Sequence, residues 1–99
     1  MNLESFRQSL SAEKPPAGLN RGLIALWYDG KGDWERAHDI AQDDGGNDGD
    51  WIHAYLHRKE GDNWNANYWY RRAGKQMPDM SLAQEWESIV SVLLRRTLN

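Results

Sequence analysis

A set of regularly spaced small residues, with one aromatic residue among them, constrains the fold more than any other feature of the sequence. Its members lie twelve, four, three and five positions apart and are Ala54, Ala66, Tyr70, Ala73 and Pro78. Small residues at these intervals let two antiparallel helices approach closely, and a proline ends the second helix. A Gly-Asp-Asn break at 61–63 separates the two helices. The segment therefore predicts a helical hairpin.

Turn and capping residues predict the other helices. The predicted helices cover about 3–10, 17–28, 33–42, 51–60, 63–73 and the segment from Ser81 onward. Asp33 and Asp62 are expected to cap the third and fifth helices. Gln84 stands three residues after Ser81, which is the spacing of a capping box. Residues 11–16 predict a stiff linker because they end in two prolines, and residues 43–49 predict a polar loop.

The last predicted helix carries a continuous apolar stripe. Its members are Leu82, Trp86, Ile89, Val90, Leu93 and Leu94. A stripe of this size has to be buried, so we expect this helix to cap the hairpins. A chain of 99 residues is long enough for one domain. We predict an all-α domain with an N-terminal helix and linker (1–16), two hairpins (17–78) and a capping helix (79–99).

The chain also repeats itself. After a shift of 29 residues, five residues of the first half align with five similar residues of the second half. Leu23, Ala25, Gly32, Asp33 and Ala37 align with Ile52, Ala54, Gly61, Asp62 and Ala66. Two helical hairpins in series are therefore predicted.

The second hairpin resembles the tetratricopeptide and Sel1-like repeats, whose unit is a pair of antiparallel helices with small residues at the crossing. Its spaced small and aromatic residues match the tetratricopeptide pattern, and residues 66–73 resemble the close of a Sel1-like unit. The first hairpin departs from the pattern, since Ala41 occupies the aromatic position and Asp44 a small-residue position. Residues 51–62 are also similar to a segment of small bacterial proteins, a resemblance that implies no function.

Composition excludes several classes of function. The chain has no cysteine, which rules out disulfides and zinc sites built on sulfur. With a net charge of −3 and no basic run, it has no general affinity for nucleic acid, so that hypothesis rests only on Arg71, Arg72 and Lys75. The first residues do not have the pattern of a secretion signal, and no apolar stretch has the length of a membrane span. We expect a cytoplasmic protein.

Two histidines offer a candidate metal site. His53 and His57 stand four residues apart on the predicted fourth helix, so both imidazoles project from the same side. Such a pair can chelate zinc, nickel or non-haem iron, with His38, Asp39 or Glu60 completing the site. The residue after the first histidine is not the glutamate of zinc peptidases, so their general base has no counterpart. The interpretation we prefer at this point is a pair of half-buried hydrogen-bonding groups.

The acidic glycine-rich loop is a candidate calcium site. Its oxygen-bearing residues are Asp43, Asp44, Asn47, Asp48 and Asp50. An EF-hand loop needs glutamate at its twelfth position, where counting from Asp44 reaches Tyr55. We prefer a solvated loop in which Asp48 or Asp50 caps the fourth helix.

The fifth helix offers a candidate surface for a partner. Ala66, Trp69, Tyr70 and Ala73 form one stripe, which we assign to the hairpin core. The remaining aromatic and basic residues of this region are Trp64, Tyr68, Arg71, Arg72 and Lys75. If they are exposed, they combine stacking area with guanidinium groups that suit a peptide or an acidic partner. In the alternative, which we prefer, Trp64 and Tyr68 pack on the last helix beside Trp86.

These patterns predict a small helical module that binds a protein or peptide, with Arg71, Arg72 and their aromatic neighbours as contacts and with no cofactor. The alternative is a metal-binding protein or metal-dependent enzyme that uses His53 and His57. A nucleophile, a base and an orienting group cannot be assembled from the sequence, so enzymatic activity is not predicted. Helical hairpins host unrelated functions, and the fold class alone does not decide between these hypotheses.

Overall fold

Residues 1–97 are the part of the chain that the computed structural model describes. They contain six α-helices and no strand. The helices are α1 (Leu3–Ser9), α2 (Arg21–Gly30), α3 (Trp34–Asp44), α4 (Asn47–Lys59), α5 (Asn63–Arg72) and α6 (Leu82–Thr97). The predicted all-α class is confirmed. The last two residues of the predicted capping segment lie outside the described residues. None of these six helices is long and apolar enough to cross a bilayer.

The helices form two consecutive hairpins with a further helix packed across them. α2 packs on α3, α4 packs on α5, and contacts between α3 and α4 join the two hairpins. α6 lies against α2 and α4, and α1 packs on α6. The apolar stripe of α6 is buried except for Leu82, which is half-buried. The expectation that α6 covers the hairpins is therefore confirmed.

α4 is the central helix. Every side chain from Trp51 to Leu56 is buried, so apolar and polar residues alike are enclosed along almost two turns. On the two facing helices of the second hairpin, Ala54 and Ala66 are completely inaccessible to solvent. Their small side chains allow the close approach of α4 and α5 that their spacing predicts.

The two hairpins are closed by the same turn, as the internal repeat predicts. Gly32 and Gly61 adopt φ angles of 86° and 87°, in the left-handed region that glycine enters without a Cβ penalty. The aspartates that follow, Asp33 and Asp62, are the N-caps of α3 and α5. Each carboxylate accepts a backbone N–H three residues further along at 3.2 Å. Both predicted caps are confirmed.

The predicted start of the second helix is wrong. The sequence predicted a helix over about 17–28, but α2 begins at Arg21. Asn20 is its N-cap, because the Asn20 side chain accepts the backbone N–H of Leu23 at 2.8 Å. Gly18, with a φ angle of 85°, leaves the helical region just before this cap.

The predicted loop at 43–49 is also wrong at both ends, because α3 extends through Asp44 and only residues 45–46 lie between α3 and α4. α4 begins at Asn47 with Gly46 as its N-cap, so Asp48 and Asp50 lie inside the first turn and do not cap it. Negative charge near a helix N-terminus is stabilised by the helix dipole. The Asp48 carboxylate also pairs with Arg96, which places it in an ion pair with α6.

A close approach of α3 and α4 explains the glycine in this first turn. A Cβ added at Gly49 would lie 2.8 Å from the carbonyl oxygen of Ala41. Real Cβ atoms are not found that close to another heavy atom. Only glycine therefore allows α4 to start where it does.

Two buried carboxylates fix the hairpins to their neighbours, and the sequence analysis missed both. Asp29 of α2, which is 3% exposed, accepts the Tyr55 hydroxyl at 2.8 Å and the Lys59 ammonium at 2.9 Å. Burial raises the pKa of Tyr55, so its hydroxyl keeps the proton that it donates.

The second buried carboxylate belongs to Glu85 of α6, which is 2% exposed. It accepts the Tyr70 hydroxyl at 2.5 Å and the Arg58 guanidinium at 2.8 Å. Burial also raises the pKa of Tyr70. Glu85 thus ties α6 to both helices of the second hairpin.

Candidate functional site

Three histidines converge at the junction of the two hairpins. His38 comes from α3, while His53 and His57 lie one turn apart on α4. One ring nitrogen from each residue lies within 4.8 Å of the corresponding nitrogens of the other two. The Nε2 atoms of His38 and His53 are 2.8 Å apart, and the ring centroids of His53 and His57 are 4.7 Å apart. We call these three residues the trihistidine cluster.

The cluster includes the residues that the sequence singled out. His53 and His57 face the same side, as their spacing predicts, and His38 is the third member among the candidates considered. Asp39 is not drawn in, because its carboxylate oxygen is 3.9 Å from Nδ1 of His38 and its side chain is 80% exposed.

Glu60 supports His57 from outside the cluster. Its Oε1 atom lies 2.7 Å from Nδ1 of His57. A carboxylate can only accept a hydrogen bond, so Nδ1 carries the proton and Nε2 of the neutral ring has a free lone pair. A metal-binding histidine commonly has such a carboxylate partner, which orients the ring and raises its basicity.

Two tryptophans hold the rings in place. Trp34 stacks on His38 with ring centroids 4.9 Å apart, and Trp69 stacks on His53 at 4.0 Å. Trp34 is fixed in turn, since its indole N–H donates to the carbonyl oxygen of Leu56 at 2.9 Å. The cluster therefore lies between two half-buried aromatic walls.

Burial and the neighbouring histidines disfavour protonation of His53. His53 is 4% exposed, and this burial, followed by the nearby His38 and His57, lowers its pKa from 6.5 to about 4. The His53 ring is consequently neutral at pH 7. A neutral imidazole is the form that binds a metal ion.

The cluster also remains accessible from outside. The side chains of His38 and His57 are 20% and 12% exposed, so the cluster opens toward solvent on one side. In a tetrahedral zinc site with Zn–N bonds of about 2.0–2.1 Å, neighbouring nitrogens are about 3.3 Å apart. The His38 and His53 nitrogens would have to separate by only about 0.5 Å from their 2.8 Å contact to meet this geometry.

A second set of possible ligands lies next to the cluster and is already engaged. Ligand atoms of His57, Glu60 and Asp62 also lie within 4.8 Å of one another. Asp62 accepts both the backbone and the side-chain N–H groups of Asn65, which lower the pKa of Asp62. Because Asp62 caps α5 and Glu60 orients His57, neither carboxylate is assigned as a metal ligand.

The calcium alternative does not match the structure. Within residues 1–97, the carboxylates of 43–50 form no cluster of three possible ligands. Asp50 lies in the first turn of α4 and pairs with Arg72 at 3.6 Å.

The candidate partner surface of α5 is exposed. Trp64 is 77% and Tyr68 is 40% exposed, so the preferred alternative, in which both pack on the last helix, is wrong. Trp86 instead contacts Phe6 and donates its indole N–H to a backbone carbonyl of α2. Packing of α6 onto α2 and α1 leaves the outer side of α5 uncovered.

The basic residues of this surface differ in their surroundings. Arg71 is exposed and makes no ion pair within residues 1–97, whereas Arg72 is paired with Asp50. The Arg72 guanidinium lies 5.2 Å from the Trp69 ring centroid. The Lys75 ammonium lies 4.1 Å from the ring centroid of Trp51, which places Lys75 apart from the aromatic residues of α5.

No protein-family model, curated protein or solved structure matches this chain. The resemblance to tetratricopeptide and Sel1-like repeats therefore stays a prediction.

Proposed function

We propose that this protein binds a divalent transition-metal ion, with zinc as the best fit, through His38, His53 and His57. The observation that carries the proposal is the approach of three ring nitrogens to within 4.8 Å of one another. The chain contains three histidines, and all of them are in the cluster. Since they come from two helices that belong to different hairpins, tertiary packing and not sequence proximity brings them together.

Hydrogen bonding alone accounts poorly for this arrangement. The contact between His38 and His53 uses one nitrogen of each ring and does not need His57. A third imidazole at this distance adds repulsion when more than one of the rings is protonated. A bound cation would convert the same three nitrogens into favourable ligands, which supports metal binding over a purely structural contact.

The donor set restricts the metal. Neutral imidazole nitrogens suit zinc, nickel and iron, whereas magnesium and calcium prefer oxygen ligands. Three protein ligands with a fourth position open to water are typical of catalytic zinc sites, while structural zinc sites have four protein ligands. The exposed edges of His38 and His57 support such an open position.

The trihistidine cluster is proposed to bind a metal ion, and no reaction is assigned to it. Zinc lowers the pKa of a bound water to about 7, but hydrolysis also requires a group that handles the proton. Ala54 occupies the position at which zinc peptidases carry their glutamate base. The direct consequence of binding would be a link between α3 of the first hairpin and α4 of the second.

Titration of the full-length protein without an affinity tag tests this proposal. Zinc, in competition with a chromophoric chelator, is expected to bind with one-to-one stoichiometry. His38→Gln and His57→Gln should each lower the affinity on the order of 100-fold, while Glu60→Gln should lower it about 10- to 100-fold because it removes the carboxylate behind His57. Far-ultraviolet circular dichroism checks that each variant stays helical.

Trp64→Ala is the matched control, because Trp64 is exposed on the neighbouring helix and lies outside the cluster. This variant should bind zinc as the wild type does. Failure of the wild type to bind zinc, nickel or ferrous iron would refute the proposal. Wild-type zinc affinity in His38→Gln and in His57→Gln would refute it as well.

A further inference from the structure

α5 presents an aromatic and basic ridge to solvent. Trp64, Tyr68, Arg71 and Arg72 are all exposed, and spacings of four, seven and eight residues from Trp64 place them along one side of the helix. We call these four residues the α5 ridge. It is separate from the trihistidine cluster, which faces the junction with α3.

Trp64 is the residue of the ridge that packing does not explain. The chain has six tryptophans, and the other five are buried or packed against the core. At 77% exposure, Trp64 has the largest accessible fraction among the exposed large hydrophobic residues, ahead of Met1 at 48%. A tryptophan in this position is the residue type that most often dominates a protein interface, because its large ring gains much free energy on burial.

The charge of the ridge selects the partner. α5 carries no acidic residue, although the whole chain has a net charge of −3. Arg71 makes no ion pair within residues 1–97, so its guanidinium is available for a carboxylate. Arginines in the last turn also stabilise the helix dipole, but that effect needs no exposed tryptophan two turns earlier.

Arg72 gives the basic end of the ridge a fixed geometry. Its guanidinium pairs with Asp50 at 3.6 Å and lies 6.0 Å from the ring centroid of Tyr68. Tyr68 meets Trp69 edge to face with centroids 5.2 Å apart, so the Tyr68 ring packs on a half-buried neighbour. A preorganised surface loses less side-chain entropy when it binds a partner.

We propose that the α5 ridge binds an acidic peptide segment of another protein in extended conformation. An apolar side chain of the segment contacts Trp64, and an aspartate or glutamate contacts Arg71. The two ridge residues are seven positions apart, which is about 10 Å along a helix. A segment in the extended polyproline II conformation rises about 3.1 Å per residue and has three residues per turn, so side chains three positions apart lie on the same side of it, about 9 Å from each other.

Selection from a phage-displayed library of random twelve-residue peptides against the immobilised full-length protein tests this inference. Enriched peptides should carry an aspartate or glutamate about three residues from an aromatic or aliphatic residue. A synthetic copy of an enriched peptide should change the tryptophan fluorescence, and its affinity should fall as salt rises. Trp64→Ala and Arg71→Gln should each weaken binding about 10-fold or more.

Two controls separate this surface from the others. Lys75→Gln and His57→Gln should bind the peptide as the wild type does, since neither residue belongs to the ridge. The inference is refuted if the library yields no enriched peptide, or if enriched peptides bind Trp64→Ala and Arg71→Gln with wild-type affinity. Binding of a single-stranded oligonucleotide at these residues, without peptide binding, would assign the ridge to nucleic acid and would also refute it.

Discussion

The trihistidine cluster and the two buried carboxylates are polar sites in the same small core, but their partners differ in kind. Asp29 and Glu85 each accept a tyrosine hydroxyl and face a cation, so their charge is balanced inside the protein. The three histidines face one another, and burial together with the nearby His38 and His57 lowers the pKa of His53. Each buried carboxylate already has a cationic partner, whereas the histidine nitrogens of the cluster offer lone pairs that a metal cation can bind.

The first way to test this comparison is to remove a balanced carboxylate. Glu85→Ala leaves the Arg58 guanidinium, 17% exposed, without its partner and removes the acceptor of the Tyr70 hydroxyl. The free energy of unfolding should fall by roughly 3 to 5 kcal/mol. Urea denaturation measures the change, with Glu13→Ala, at an exposed residue that makes no ion pair within residues 1–97, as a control expected to change stability by less than about 0.5 kcal/mol.

Asp29→Ala should destabilise the fold less than Glu85→Ala, because the ammonium group that Asp29 binds can be solvated after the carboxylate is removed. The Lys59 side chain is 38% exposed, against 17% for Arg58. Asp29→Ala should therefore cost roughly 1 to 3 kcal/mol. A larger loss of unfolding free energy for Asp29→Ala than for Glu85→Ala would contradict the expectation that the more buried cation is the more costly one to leave unpaired.

The cluster should make the protein sensitive to mild acid. The pKa of His53 is about 4 in the folded chain and 6.5 when unfolded, so the unfolded chain binds more protons between these values. Stability from this residue is fully present above pH 6.5 and is lost as the pH falls toward 4, by about 3 kcal/mol in total. Melting temperatures of the metal-free protein between pH 7 and 4 measure the loss.

His53→Gln is the comparison for this pH dependence, since glutamine does not titrate in this range. The variant should start from lower stability at pH 7 and lose less of it on acidification. If wild type and variant lose the same free energy between pH 7 and 4, His53 is not the group responsible.

Metal binding should stabilise the fold, because an ion that binds the native state alone adds its binding free energy to folding. Zinc at 100 times its dissociation constant should raise the free energy of unfolding by about 2.7 kcal/mol. His57→Gln should show no such gain at the same zinc concentration. A gain of equal size in this variant would place the metal elsewhere.

The smallest expected effect concerns repulsion within the cluster. His38→Gln removes one of the two neighbouring histidines that lower the pKa of His53, so this pKa should rise but stay below 6.5 because the residue remains buried. Nuclear magnetic resonance of the His53 ring follows this titration. An unchanged pKa would show that His38 does not contribute to its value.

Local patterns predicted the fold well where the chain itself carries the signal. The small-residue spacing around Ala54 and Ala66 predicted the second hairpin, and Asp62 and the Ser81–Gln84 pair cap their helices as expected. The start of α4 was missed because Gly49 in its first turn, like Gly45 and Gly46 before it, has low helix propensity. Gly49 is nevertheless required there by the contact with Ala41, which depends on tertiary packing.

The sites were predictable only in part. The four-residue spacing of His53 and His57 fixed their common direction, but the approach of His38 depends on how α3 packs on α4. Glu85 was missed because its partners come from α4 and α5. A signal existed, since Glu85 precedes Ile89 by one helical turn and so lies along the apolar side of α6.

X-ray absorption at the zinc edge tests the central claim most directly. On full-length protein without an affinity tag, loaded with one equivalent of zinc, we predict three imidazole nitrogens at about 2.0–2.1 Å and an additional light ligand such as water. The His57→Gln variant should lose one imidazole from this set. A zinc shell made only of oxygen ligands, or one with a single imidazole in the wild type, would contradict the proposed trihistidine site.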